Sequence, residues 1–204
     1  KGSKIPETSY EKDNEFHGLY DLGQETTDMV ESDNALRRLR HYTLIKALNN
    51  AQTNHGDVVE LGCWKGLSTF QIATYLKKIG YNSIFHVFDS FEGLPKTEVE
   101  TDGIFQEGEF STSVLEFKRI VKNRTGLQLD GENIIKGYYS DTLTDALQLK
   151  LPRAGIVHID VDLYSSTICI LNNVRNIIDK NTIIIFDKFL KINIKFFNLG
   201  IEFI

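Results

Sequence analysis

The sequence predicts an α/β protein in which a doubly wound, mostly parallel sheet carries helices on both faces. Two observations predict this fold class. Short apolar runs rich in β-branched residues alternate along the chain with segments of helical periodicity. These runs are nearly continuous in apolar character, which is typical of parallel strands that are buried on both faces.

The predicted elements follow one another in a regular order. Residues 1–30 are polar and predict a loose N-terminal arm or lid, and residues 31–204 predict one domain. A first helix is predicted from Ser32, with Asp33 as the alternative cap, to about Asn50. Strands are then predicted at 57–62, 83–89, 133–137, 155–162 and 181–187, and the intervening helices at 67–80, 113–123, 141–149 and 166–178.

Composition excludes several functional classes. The net charge is −5 and charges of both signs are mixed along the chain, so nucleic acid is not the expected partner. Cys63 and Cys169 have neither a disulfide framework nor metal-ligand spacing, which indicates reduced thiols in a cytoplasmic protein. We expect no membrane span, because no apolar stretch approaches the roughly 18 to 20 residues required, and the N-terminus does not resemble a signal peptide.

Acidic residues stand at the ends of four predicted strands. In open α/β sheets, ligands bind outside the carboxyl ends of the strands. A single acid there is more often a helix cap or a turn residue, but five on one edge favour a functional site. They are Glu60, Asp89, Asp160, Asp162 and Asp187.

Glu60, Gly62 and Gly66 stand around the turn from the first strand into the next helix. Glycine allows the backbone to approach a ligand closely, although a tight turn without a ligand also needs glycine. Asp89, at the end of the second strand, is placed to accept hydrogen bonds from ribose hydroxyls. The two features together favour a nucleoside ligand.

Asp160 and Asp162 are two residues apart, so strand alternation predicts that both carboxylates face one site. Two acids so close together repel each other unless a cation neutralises them. The alternative is that one of them caps the helix predicted to begin near Ser165.

Four segments together resemble the macrocin O-methyltransferase family: residues 60–66 (ELGCWKG), 86–95 (HVFDSFEGLP), 137–143 (GYYSDTL) and 158–167 (HIDVDLYSST). The resemblance implies a Rossmann-like class I fold that binds S-adenosylmethionine (SAM) and methylates sugar hydroxyls with Mg²⁺. It implies that Asp162 is the general base and that Asp160 and Asp187 bind the metal. The cofactor-binding residues that it implies are Glu60, Gly62, Gly66, Ser68, Asp89, Ser90, Phe91, Ser140, Asp141 and Asp160.

The expected acceptor is a sugar hydroxyl of a glycoside, an antibiotic or a surface polysaccharide. Such a hydroxyl is too weak an acid to ionise unaided near neutral pH, so a cation that polarises it and a carboxylate that takes its proton both assist.

A metal-dependent nucleotide-sugar glycosyltransferase stays open as an alternative, because Asp-Val-Asp at 160–162 also matches the short acidic motif of such enzymes. A degenerate methyltransferase fold that only binds is the second alternative. Related enzymes often form dimers or larger assemblies, so a homo-oligomer could form.

The pattern departs from the family after the last predicted strand, where a second acid is expected beside Asp187. Lys188 stands there instead and would place a positive charge next to a metal ion. Either the protein has lost a ligand, or residues that belong between Asp187 and Lys188 are absent from this sequence. We favour the second explanation and expect that residues are absent between Asp187 and Lys188.

Overall fold

The computed structural model describes residues 10–50, 56–81, 84–97, 104–125, 133–144, 151 and 153–187. Five strands are present in this part of the chain: β1 (Asp57–Leu61), β2 (Phe85–Asp89), β3 (Ile134–Lys136), β4 (Ala154–Ile159) and β5 (Ile183–Phe186). All pair in parallel, in the order β3-β2-β1-β4-β5. The predicted parallel α/β sheet is confirmed.

Helices cover both faces of the sheet. They are α1 (Asn14–Thr27), α2 (Ala35–Asn50), α3 (Leu67–Lys78), α4 (Val114–Thr125), α5 (Tyr139–Thr142) and α6 (Tyr164–Asn173), and a 3₁₀ turn spans Val30–Ser32. Alternate strand residues enter different cores: Val58 packs with α1 to α4, and Val59 packs with residues of α6. No helix within the described ranges is both long and apolar enough to cross a membrane.

The N-terminal segment is packed against the domain in its described part. Asp13 caps α1, because its carboxylate accepts a hydrogen bond from the Phe16 backbone N–H at 3.0 Å. Phe16 and Tyr20 are 3% and 0% exposed and belong to the core. The loose conformation expected for residues 1–30 is therefore not found in residues 10–30, whereas the domain boundary at residue 30 stays a prediction.

Two other elements differ from the sequence prediction. Helix α2 begins at Ala35, because Asn34 Oδ1 accepts the Arg37 N–H at 2.9 Å and takes the capping role predicted for Ser32 or Asp33. Strand β4 ends at Ile159 rather than at residue 162. Of the helix predicted at 141–149, residues 145–149 lie outside the described part.

The strand order reverses at β1, which lies between β2 and β4. Gly62, directly after β1, donates its N–H to Phe88 O at 2.9 Å, and Asp160 donates its N–H to Leu61 O at 2.9 Å. Gly62 has φ +90°, and a Cβ added there would lie 2.0 Å from Asp160 O. Only glycine allows the ends of β1 and β4 to approach so closely, and this is the place where doubly wound sheets bind ligands.

Candidate active site

A cavity of about 470 Å³ opens at the carboxyl ends of the strands, a volume within the usual range of small-molecule sites. It is formed by the segments that follow all five strands, together with part of α2. Eight of the predicted site residues line it: Gly62, Ser68, Asp89, Ser90, Ser140, Asp160, Asp162 and Asp187.

Four predicted cofactor residues lie outside the cavity lining. Gly66 has φ +88° before α3, and a Cβ there would lie 3.0 Å from the Phe117 ring. Phe91 is buried and packs edge-on against Phe117, with 5.3 Å between ring centroids. Asp141 is exposed and accepts a hydrogen bond from the Ser140 hydroxyl at 3.1 Å. The fourth, Glu60, is fully buried. Their direct contact with the cofactor stays a prediction.

Asp89 organises the turns that follow β1 and β2. Its Oδ2 atom accepts the backbone N–H groups of Cys63 at 2.8 Å and Trp64 at 3.2 Å, and its Oδ1 atom accepts that of Phe91 at 2.8 Å. Trp64 and Phe91 both have positive φ, an unusual conformation for bulky side chains, which these bonds help to hold. A carboxylate can accept about four hydrogen bonds, so Asp89 keeps the capacity to accept one from a ribose hydroxyl, as predicted.

Glu60 lies beneath the cavity in a buried polar cluster. Its Oε2 atom accepts the Thr69 hydroxyl at 2.5 Å, and its Oε1 atom lies 3.2 Å from His158 Nδ1 on the adjacent strand. Burial by itself lowers the pKa of His158, but the hydrogen bond and charge of Glu60, with the charges of Asp160 and Asp187, raise it overall. Glu60 thus supports β4 just below Asp160.

Asp160 and Asp162 both line the cavity, but for a different reason from the predicted one. Both follow the end of β4, and Val161, which lies between them, also lines the cavity. The alternation of side chains along a strand is therefore not what brings both carboxylates to the cavity. The N-cap of α6 is Leu163, and no side-chain hydrogen bond caps this helix. Neither acid therefore occupies the N-cap position itself.

Asp187 lies opposite α2 and is almost buried. Its Oδ2 atom is 2.9 Å from Arg40 Nε, and the two side chains are 7% and 25% exposed. The geometry is imperfect, since the buried Nε atom makes no hydrogen bond with any described group. The contact is therefore an ion pair in which Arg40 Nε does not donate a hydrogen bond.

The described residues contain no group of three or more His, Cys, Asp or Glu side chains placed to hold a metal. Mg²⁺ often takes only one or two carboxylates and completes its shell with water and substrate oxygens. Asp160 and Asp187 have the right donor atoms for such a site, provided that Arg40 leaves Asp187.

The profile of the macrocin-O-methyltransferase (TylF) family matches residues 7–196. The chain belongs to this family.

Named relatives agree with this assignment. A Streptomyces olivaceus protein, 8-demethyl-8-(2,3-dimethoxy-alpha-L-rhamnosyl)-tetracenomycin-C 4'-O-methyltransferase, is 27% identical over 175 residues, which are 82% of this chain and 66% of that protein. The solved calicheamicin methyltransferase CalS11 superposes with a TM-score of 0.63 at 16% identity, over 91% of this chain and 79% of its own. The O-methyltransferase NovP gives 0.58 at 23% identity, over 72% and 64%. These two structures share the fold.

This family member also has cavity residues that the sequence did not reveal. Arg37, Arg40 and His41 from α2 line the cavity, as do Met29, Lys96 and Phe110. The three α2 residues stand at i, i+3 and i+4, which places them on one helix face and was the available signal. The ring of Phe110 packs edge-on against Trp64, with 5.2 Å between centroids.

Proposed function

We propose that the protein is a SAM-dependent O-methyltransferase that transfers a methyl group to a sugar hydroxyl of a glycoside, an antibiotic or a surface polysaccharide. The family match over residues 7–196 carries this proposal. The cavity supports it, because one space is lined both by the glycine turn and by Asp160 and Asp162. The Streptomyces relative is named for methylation of a rhamnosyl group, and this chain spans 66% of its length.

We place the donor side of the cavity after β1, β2 and β3. From the cavity lining, Gly62 would contact the amino-acid and ribose region of SAM, and Asp89 would hold the ribose hydroxyls. Ser90 would flank the adenosine, Ser140 would lie near the adenine, and Ser68 would be a further cofactor contact. SAM supplies an electrophilic methyl group when it is bound. The Asp89 carboxylate holds the turn that follows Gly62, so a SAM molecule that binds there would meet an ordered turn.

The acceptor side is formed after β4 and β5. Asp162 would accept the proton of the sugar hydroxyl as its oxygen attacks the methyl carbon, because it lines the same cavity as Asp160. Mg²⁺, when bound by Asp160 and Asp187, would lower the pKa of that hydroxyl. In the described conformation Arg40 supplies the positive charge beside Asp187.

A methyl-transfer assay tests the function. The protein is incubated with SAM and a panel of glycosides, with Mg²⁺ or with EDTA, and methylated products are identified by mass spectrometry. We expect methylation of at least one sugar hydroxyl and a lower rate in EDTA. SAM binding without transfer to any glycoside would contradict the proposed activity, and an equal rate in EDTA would contradict the metal requirement alone.

Replacement of the proposed base tests the mechanism. We expect Asp162→Asn to lower kcat by about 10² to 10⁴, the usual contribution of a general base, and to leave the SAM Kd unchanged. Asp179→Asn is the matched control, since Asp179 pairs with Arg153 and lies outside the cavity. A kcat for Asp162→Asn equal to that of the control would exclude Asp162 as the base.

The alternatives have less support. Membership of the methyltransferase family argues against a nucleotide-sugar glycosyltransferase. Calorimetry decides between them, since a glycosyltransferase would bind nucleotide-sugars and not SAM. The alternative of a degenerate fold that only binds depends on Lys188, which lies outside the described residues. The expectation that residues are absent between Asp187 and Lys188 concerns the same part of the chain and stays a prediction. The cytoplasmic location and the homo-oligomer stay predictions.

A further inference from the structure

Three arginines on α2 differ in how their charges are neutralised. Arg38 pairs with Asp21 at 2.8 Å and with Asp33 at 2.5 Å, and Arg40 pairs with Asp187 at 2.9 Å. Arg37 lines the cavity, yet no carboxylate in the described part of the chain lies within 4.0 Å of it. The side chain is half-buried, so water screens its charge incompletely.

Neutral oxygens hold the Arg37 side chain in place. Its Nη1 atom donates to Ser32 O at 3.0 Å and also to the Ser32 hydroxyl, which in turn donates to Met29 O at 2.8 Å. The Nε and Nη2 atoms make no hydrogen bond with any described residue. The side chain is therefore fixed, its charge is not compensated, and the edge that commonly grips an oxyanion with two hydrogen bonds is unused.

The positive charge of Arg37 reaches the cavity wall. His41 is its neighbour in the lining, and burial chiefly lowers the pKa of this histidine. The charge of Asp187 and the hydrogen bond with Gln71 oppose this shift, and the charges of His158 and Arg37 add smaller contributions to it. Lys96, on the loop after β2, is exposed and lines the same cavity, and no described carboxylate pairs with it either. The cavity thus combines aspartates after β4 and β5 with two cations that lack acidic partners.

We propose that the acceptor of this enzyme carries a phosphate or carboxylate group beside the sugar to be methylated, and that the Nε–Nη2 edge of Arg37 binds that group. Lys96 adds a second, weaker attraction as a point charge. This inference rests on the proposed function, because it takes the cavity as the acceptor site. It makes Arg37 a determinant of specificity with no part in the proton transfer.

Binding and turnover are compared for three acceptors: a nucleoside-diphosphate hexose, the p-nitrophenyl glycoside of the same hexose, and the p-nitrophenyl glycoside of the corresponding uronic acid. Affinity is measured by calorimetry in the presence of S-adenosylhomocysteine, and kcat and KM are measured with SAM. We expect at least one charged acceptor to bind about tenfold to a hundredfold more tightly than the neutral glycoside, as for a charge-assisted bidentate contact. The charged acceptor that binds more tightly identifies phosphate or carboxylate as the group.

The variants are Arg37→Gln, Arg37→Lys and the control Arg175→Gln. Arg175 is also held by a backbone oxygen, Asn172 O, and lies outside the cavity lining. Arg37→Gln should remove most of the preference for the charged acceptor through KM, with a smaller effect on the neutral glycoside. Arg37→Lys should keep part of the preference, and Arg175→Gln should keep all of it. Thermal unfolding of each variant verifies that it is folded.

Equal affinities for charged and neutral acceptors, no binding of either charged acceptor, or an equal loss for all acceptors in Arg37→Gln would overturn the inference. Failure of the proposed function gives a different result, in which charged acceptors bind in an Arg37-dependent manner but none is methylated.

Discussion

His41 is a buried histidine that the fold keeps neutral, and its replacement should change how stability depends on pH. The side chain is 6% exposed, and its Nδ1 atom lies 2.7 Å from Gln71 Oε1. Burial is the main cause that lowers the pKa of His41 from 6.5 to about 4. Between these two pH values the unfolded chain binds a proton that the native protein does not bind.

The sign and size of the effect follow from this difference. Because the folded pKa lies below the unfolded one, the stabilisation is complete above pH 6.5 and is lost as the pH falls towards 4. At about 1.4 kcal/mol per pKa unit, the loss is about 3 kcal/mol of unfolding free energy. His41→Asn removes the titrating ring, while the asparagine Nδ2 can still donate to Gln71 Oε1.

Urea unfolding measures this loss, with the fluorescence of the single tryptophan, Trp64, as the probe. The free energy of unfolding is determined from pH 7.5 to pH 4 for the wild type, His41→Asn and the control Thr43→Ala, which alters the same helix without removing a titrating group. We expect the wild type and the control to lose about 3 kcal/mol more than His41→Asn over this range. Acids such as Asp13, whose pKa the hydrogen bond from Lys46 lowers, titrate in all three proteins and cancel. Parallel curves for all three proteins would refute the reasoning.

Two further replacements test the close approach of β1 and β4 at Gly62 and the ion pair between Arg40 and Asp187. Gly62→Ala places a Cβ 2.0 Å from Asp160 O, so it should cost about 3 kcal/mol or more of stability, whereas Gly80→Ala, with φ +67° and no atom within 4 Å of its Cβ, should cost about 1 kcal/mol. Similar losses in urea unfolding of the two variants would show that the close approach is not what selects glycine at position 62. Arg40→Gln removes the cation that competes for Asp187, so Mg²⁺ should bind at least several-fold more tightly in calorimetry; weaker or unchanged binding would exclude this competition.

The sequence predicted the sheet well because the signals that define it are local. Apolar runs and helical periodicity gave five strands in their order along the chain, and strand ends gave the edge where ligands bind. Asp160 and Asp162 both line the cavity, although β4 ends before them and the alternation argument was wrong. Both acids still reach the cavity because they directly follow the same strand, β4.

The parts that were missed depend on contacts between distant segments. Glu60 is fully buried against His158, its partner in the β1–β4 register, and nothing in the local sequence shows which strand lies beside β1. Arg40 and Asp187 meet only after α2 packs near the end of β5. A buried ion pair between such distant residues leaves no periodic signal in either segment, so only the folded chain reveals it.

The strand order also determines when the site can form during synthesis. A chain made only as far as β3 already contains Gly62 and Asp89, and its first three strands are neighbours in the sheet. One edge of β1 must then wait for β4, whose residues lie almost a hundred positions later, and pairings of such long range fold slowly. An uncovered central strand can also pair with another chain meanwhile. The nascent protein therefore contains Gly62 and Asp89 well before Asp160, Asp162 and Asp187, and the lining of the cavity is complete only when β5 has docked.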